Sequence, residues 1–289
     1  PVKTPRKTEW IQKFCNTLKD FDLSGKVMWK VNCRPDEIDP DAFALMRQHG
    51  LFRVYLGIEE GTDSGLLQMN KRLSVSDNLQ GIRILKKLGI GIDYGFMLFQ
   101  PNTTFSSLDE NLNFLETICG DGYMPVSFLK MKPYLATEIE KNLREEGRLK
   151  GEPGFFDYDF HERSMNDFHD YVSDVFYKWI NSPKGFSITA KWASNYFAVY
   201  LFYCETHEGI QHLSCSLKTR VSEANRYIIK TLKKLSIKFK SGNYTLKNDN
   251  ELDKYRISIE KEHQLAVECI SRIIEKVELY SLTKEVFRM

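Results

Sequence analysis

The chain has 289 residues, with 41 Lys and Arg against 39 Asp and Glu, a formal net charge of +2; it is 42% hydrophobic and 13% aromatic. That balance describes a soluble globular chain with an aromatic-rich core, and its near-neutral charge gives no ground for wholesale binding to nucleic acid. No run reaches about 18 consecutive apolar residues, so no membrane-spanning helix is expected. Six scattered cysteines (Cys15, Cys33, Cys119, Cys204, Cys215 and Cys269) point to reduced thiols and a cytoplasmic setting rather than a secreted disulfide framework.

Residues 1–150 alternate helix and strand. A helix over 8–20 ends before Ser24-Gly25, and the apolar run 27–31 follows as a first strand. Asp39-Pro40 suits the cap and first turn of a second helix, which Gly50 closes. The next strand is 52–58. Ser76 is placed to cap a helix whose Leu79, Ile82, Leu85 and Leu88 recur near helical spacing, and Gly89 ends it. A strand over 90–99, a helix over 107–118, a strand over 126–131 and a charged helix over 138–146 complete this part. Four strands joined by helices imply a parallel sheet, its strands side by side in chain order. After Gly151-Glu152-Pro153-Gly154 the strand signal largely stops. Helices are expected over 164–180, 189–205, 218–236 and 250–281, either as a separate domain or packed onto the sheet.

In sheets of this kind function collects at the carboxyl ends of the strands. Those ends here are Asn32-Cys33-Arg34-Pro35-Asp36, Gly57-Ile58-Glu59-Glu60-Gly61-Thr62, Phe99-Gln100-Pro101-Asn102 and Lys130-Met131-Lys132-Pro133. The wording of these segments, with Leu67-Gln68-Met69-Asn70-Lys71, Gly95-Phe96-Met97-Leu98-Phe99-Gln100-Pro101 and Pro133-Tyr134-Leu135-Ala136-Thr137, resembles the radical SAM superfamily, most closely its cobalamin-binding branch. The resemblance runs over about 9–150 and is specific as a series. Ala136 stands where the family's "PxxGT" segment has Gly.

The resemblance implies an α/β fold: an incomplete parallel (β/α) partial barrel, TIM-like, over 1–150, followed by a mainly helical region over 151–289. It implies a family chemistry in which a CxxxCxxC triad holds a four-iron four-sulfur (4Fe-4S) cluster that reductively cleaves S-adenosylmethionine (SAM) to a 5′-deoxyadenosyl radical. The radical serves hydrogen abstraction or, with cobalamin, methyl transfer on a substrate the sequence does not name. This chain has no CxxxCxxC; no two of its cysteines are closer than Cys204 and Cys215. Its first strand matches the family's third, and it begins Pro-Val-Lys-Thr-Pro. The expectation is the carboxyl-terminal part of a longer enzyme, whose remaining part would be its partner and would hold the cluster and any cobalamin. The alternative is a cluster-less, non-catalytic binding or scaffold protein derived from the same barrel. An ordinary TIM-barrel enzyme using Glu59 as acid or base would need eight strands.

By resemblance, Glu59 would accept hydrogen bonds from the SAM ribose hydroxyls, or form a structural ion pair with Arg34. Arg34 would hold Glu59 or the methionine carboxylate of SAM, or else pair with Asp36 or Glu37. The stretch 96–100, with Phe99 and Gln100, would offer adenine its apolar side and backbone, or serve as sheet core.

Three further features stand outside the resemblance. Cys204, His207, His212 and Cys215 are zinc-compatible types at an uncommon spacing, and no metal is assigned to them. Residues 217–240 carry eight Lys or Arg against Glu223, balanced by seven acids over 152–174, so surface compensation is expected rather than a nucleic-acid partner. Tyr196, Phe197, Tyr200, Phe202 and Tyr203 suggest an aromatic wall, read as core.

Overall fold

The computed structural model describes residues 5–204, 208–247 and 249–283. Helix α1 (Pro5–Asp20) leads to β1 (Trp29–Cys33), then α2 (Pro40–Gln48) and β2 (Leu51–Glu59). The short α3 (Asp63–Gln68) and α4 (Val75–Lys87) precede β3 (Gly91–Phe96), followed by α5 (Phe105–Cys119) and α6 (Glu138–Glu145). A small antiparallel pair, β4 (Leu149–Lys150) and β5 (Asp157–Tyr158), then gives way to α7 (Arg163–Val175), α8 (Tyr177–Ile180), α9 (Phe186–Tyr203), α10 (Glu208–Lys240) and α11 (Asn250–Thr283). None of these helices is long and apolar enough to cross a membrane.

The sheet is parallel, in the order β1-β2-β3. Its two faces differ, as side-chain alternation requires. Val54, Leu56 and Ile58 of β2 are fully buried, and with Ile92 and Phe96 of β3 they face the helical layer, where Phe96 stacks on Phe114 of α5. The other face carries Arg53, Tyr55, Gly57 and Glu59 of β2 beside Gly91, Asp93 and Gly95 of β3 and the exposed Asn32 of β1.

The expected fourth strand is only partly a strand. Residues 129–131 run beside 96–99 through Leu129 N–H to Phe96 O (2.9 Å) and Met131 N–H to Phe99 O (2.8 Å), with one parallel bridge, Phe99 to Lys130. Before them, side chains replace the ladder. Asn225 accepts from Val126 N–H (2.8 Å) and donates to the carbonyls of Cys119 and Met124, while the Tyr94 hydroxyl donates to Pro125 O and accepts from Ser127 N–H. Pro125 has no N–H to give a ladder in any case. The third strand likewise stops at Phe96 rather than Phe99.

Helix ends mostly follow the sequence signals. The Asp39 carboxylate accepts from Ala42 N–H, with Pro40 in the first turn. One cap moves: Ser74, not Ser76, caps α4, because Ser74 and Asp77 close a reciprocal capping box and leave Ser76 inside the helix. The helix expected over 218–236 extends from Glu208 to Lys240, and that over 164–180 divides at Phe176.

The helices after residue 151 pack onto the sheet. Phe99 meets Phe160 and Phe168, and the Ser187 hydroxyl donates to Val126 O. Trp179 donates from its indole to Ile259 O. Buried side chains from both parts form one contiguous hydrophobic core. The aromatic run of α9 is divided: Phe197 is buried, whereas the Tyr203 hydroxyl reaches back to Lys26 O.

Candidate functional site

The site is built at the carboxyl end of β2, where the strand stops being regular. The β2–β3 register shifts between Leu56 and Glu59. Glu59 has φ of 65°, and Glu60 N–H bonds back to Ile58 O at 2.8 Å. A hydrogen bond across one residue of positive φ is a γ-turn of the rare, strained kind, and bulges of this sort re-aim a side chain at a strand end. The strain is held from several sides. Met97 N–H donates to Glu59 O (2.7 Å), and the Asn78 side-chain amide donates to both Ile58 O and Glu60 O (3.3 Å each). Gly61 N–H bonds to Asn111 Oδ1 at 2.8 Å.

The turn lays the Glu59 carboxylate back over bare backbone. A Cβ on Gly57 would sit 3.0 Å from Glu59 Oε1, and one on Gly95 would sit 3.5 Å from Oε2 and 2.6 Å from the Tyr55 hydroxyl. The two glycines therefore leave a flat floor between Tyr55 and Glu59. Tyr55 is 41% exposed there, on the face turned away from the helices over β2. Burial, with the Glu59 and Asp93 carboxylates nearby, holds the Tyr55 phenol above its usual pKa.

The cation on Glu59 is Lys71, whose Nζ lies 2.9 Å from Oε1. Of the partners expected for Arg34, the structure shows Asp36 rather than Glu59. The Arg34 guanidinium is paired with Asp36 (Nε to Oδ1, 3.0 Å), and its Nη2 donates to Lys71 O at 3.0 Å. A carboxylate two residues along the chain competes more effectively than one on the neighbouring strand. Arg34 thus fixes the Lys71 backbone, and Lys71 reaches Glu59.

Phe99 and Gln100 face away from this floor. Phe99 is 1% exposed, with its ring among Phe128, Phe160, Phe168 and His169. Gln100 is buried and donates from Nε2 to Glu60 Oε2. Within 96–100, the Met97 N–H is the group bonded to Glu59, through its carbonyl.

Glu60 is the residue the sequence left without a role. It is 3% exposed, accepts from Thr62 Oγ1 (3.0 Å), Asn111 Nδ2 and Gln100 Nε2, and makes no ion pair among the described residues. Burial pushes its carboxyl up to about 7, against the pull of these three donors. The signal available was the Glu-Glu pair itself: successive strand residues point to opposite faces, so one of the two must enter the helical layer.

Among the described residues no three of His, Cys, Asp and Glu are grouped to hold a metal ion. Cys15, Cys119 and Cys204 are buried at separate places, and none of the six cysteines is in a disulfide. Within the zinc-compatible set, His207 lies outside the described residues.

No family model matches the chain. Over 100 residues it is 33% identical to an anaerobic magnesium-protoporphyrin IX monomethyl ester cyclase from Rubrivivax gelatinosus, a stretch covering 34% of this chain and 18% of that protein. A cyclase of the same name from Cereibacter sphaeroides is 29% identical over 100 residues, covering 34% and 16%. The structure of the cobalamin-dependent S-adenosylmethionine radical enzyme OxsB with aqua-cobalamin superposes with a TM-score of 0.51 at 15% identity, over 90% of this chain and 50% of that one. Its apo form gives 0.53 at 14%, over 92% and 50%. By sequence, then, part of the chain is similar to these cyclases, and by fold the chain is similar to a cobalamin-dependent S-adenosylmethionine radical enzyme. The fold is the mixed α/β arrangement of a parallel sheet with many helices that this resemblance implied. The chain spans about half the length of the radical SAM structure it matches, and less than a fifth of either cyclase is covered.

Proposed function

We propose that this chain supplies the nucleoside-binding face of a radical SAM enzyme, with Glu59 as the acceptor for the SAM ribose hydroxyls. The observation that supports this is the strained γ-turn that holds a carboxylate over the bare floor of Gly57 and Gly95. Backbone strain persists where surrounding contacts over-determine it, and it gathers at ligand sites. A carboxylate offers two oxygens to two hydroxyl donors, and such charged hydrogen bonds are short and strong. Lys71 occupies Oε1 at 2.9 Å and so sets the direction in which the carboxylate receives a ligand. The floor admits a flat base or sugar because neither glycine projects a side chain into it.

SAM, when bound beside a reduced cluster, supplies the 5′-deoxyadenosyl radical; the residues here bind and orient its nucleoside. The six cysteines do not fit a 4Fe-4S cluster, since no close triad occurs in the sequence, and the cluster ligands in this reading lie outside the set described. The substrate and the place of cobalamin belong to the whole enzyme.

Calorimetric titration of the purified chain with SAM tests the assignment, with adenosine and 2′,3′-dideoxyadenosine as competitors. Glu59→Gln should weaken SAM binding by about 1–3 kcal/mol, the range for losing a charged hydrogen-bond partner, and dideoxyadenosine should compete less well than adenosine. Equal affinity of Glu59→Gln and wild type would move Glu59 to a structural role.

A further inference from the structure

At the opposite end of the same sheet face a second site is assembled. A cavity of about 210 Å³ lies among the amino-terminal ends of β2 and β3, the 122–125 segment, α9 and α10. Arg53 is the third residue of β2 and Glu59 the last, so six residues at roughly 3.3 Å each put the two sites about 20 Å apart.

Arg47, Arg53, Lys191 and Lys218 line this cavity, and no carboxylate among the described residues does. Asp93 lies behind the lining and is shared: Oδ1 takes Arg53 Nη1 at 3.0 Å and Oδ2 takes Lys191 Nζ at 3.1 Å. One carboxylate therefore serves two cations. Arg47 makes no ion pair among the described residues, and Lys218 Nζ sits over the Tyr123 ring, 5.4 Å from its centroid.

Arg53 is the decisive group. It is 4% exposed; Nη1 also reaches Ile92 O, and Nη2 donates to Ser194 Oγ at 2.9 Å. Its Nε–H is buried and has no partner. A buried donor left unpaired is costly, and in a folded protein such a group calls for an occupant. The guanidinium lies against Gly91, where a Cβ would stand 3.0 Å from Cζ, so the glycine makes room for it. The remaining walls are apolar and aromatic, Tyr123, Phe197 and Leu217 among them.

We infer that this cavity binds a small phosphate monoester with a flat apolar body: the oxyanion satisfies Arg53 Nε–H and the charges of Arg47 and Lys218, and the ring packs between Tyr123 and Phe197. Phosphate suits the site better than carboxylate because four cations share the one carboxylate of Asp93, a net charge of three, and guanidinium groups match its oxygens in forked geometry. The pocket is separate from the Glu59 floor and does not depend on the SAM assignment.

Phenyl phosphate is the probe, titrated by calorimetry against the full chain, with inorganic phosphate and benzyl alcohol as the partial ligands. The expected result is saturable one-to-one binding at roughly millimolar affinity or tighter, stronger than either partial ligand. Arg47→Gln and Lys218→Met should each weaken it by roughly tenfold while circular dichroism and ligand-free melting stay as in wild type. If one of these variants fails to fold, the other decides. Glu59→Gln should leave phenyl phosphate affinity unchanged. Absence of saturable binding, wild-type affinity in the folded variants, or loss of binding on Glu59→Gln would each overturn the assignment.

Discussion

The buried carboxyl of Glu60 makes stability depend on pH in a way one substitution should remove. Folding raises its pKa from 4.5 to about 7 through burial, so between those values the folded chain holds a proton that the unfolded chain has released. Stability from this group is complete below pH 4.5, falls as pH rises through the window, and is lost above about 7. The difference of about 2.5 in pKa corresponds to roughly 3 kcal/mol. Glu60→Gln keeps the shape, stays neutral throughout and removes that slope. The amide also suits its neighbours. Among the described residues the Gln100 side chain makes no other hydrogen bond and can rotate to accept from the new NH2, whereas Asn111 is fixed by Gly61 N–H and Ser107 O. Urea unfolding of both proteins between pH 4.5 and 8, followed by circular dichroism, measures the effect. The variant should gain on wild type by about 2–3 kcal/mol across the window. Every other titrating group is common to both proteins and cancels in the difference. Parallel profiles for the two would show that Glu60 is not held protonated by burial.

Two further substitutions separate folding from binding. Glu59→Gly should leave stability unchanged or raise it by about 1 kcal/mol, since glycine adopts positive φ without strain, while abolishing the carboxylate-dependent SAM affinity; a large loss of stability would mean that the Lys71 pair outweighs the strain. Asn225→Ala should cost about 3 kcal/mol or more in urea unfolding, because it strands Val126 N–H and the carbonyls of Cys119 and Met124 in the core; a loss below about 1 kcal/mol would show that the segment re-pairs.

What the sequence made legible is what local pattern controls. Alternation along β2 separates Val54, Leu56 and Ile58 from Tyr55, Gly57 and Glu59, and the caps at Asp39 and Gly50 are short-range chemistry. What it concealed depends on partners distant in the chain. Asn225, about a hundred residues downstream, takes over the hydrogen bonds that a fourth strand would have made, and nothing in Pro125-Val126-Ser127 announces it. Arg34 shows where charge type leaves two partners open. Charge type alone makes it a candidate for Glu59, but Asp36 is nearer along the chain, and Lys71 arrives from the loop after α3. Pro and Gly spacing cannot foretell the positive φ of Glu59, because an ordinary residue is forced there by its surroundings.

Those surroundings tie the two carboxylates together. A γ-turn at a glutamate is unfavourable alone, so its persistence must be accounted for by contacts on each side of it. Asn78 grips the carbonyls of Ile58 and Glu60, Met97 grips that of Glu59, and Asn111 holds both the Gly61 amide and the Glu60 carboxyl. The buried Glu60 network is therefore part of the clamp that keeps Glu59 in its strained conformation. A charge is costly in that clamp and a proton is tolerated, whereas Glu59, one residue earlier, lies on the open face with Lys71 beside it. Consecutive glutamates thus divide two tasks: the inner one fixes the turn, and the outer one is turned by it onto the open floor, where the proposed nucleoside would lie. The bare glycines beneath complete the arrangement, since any side chain at Gly95 would displace Tyr55 and close the floor.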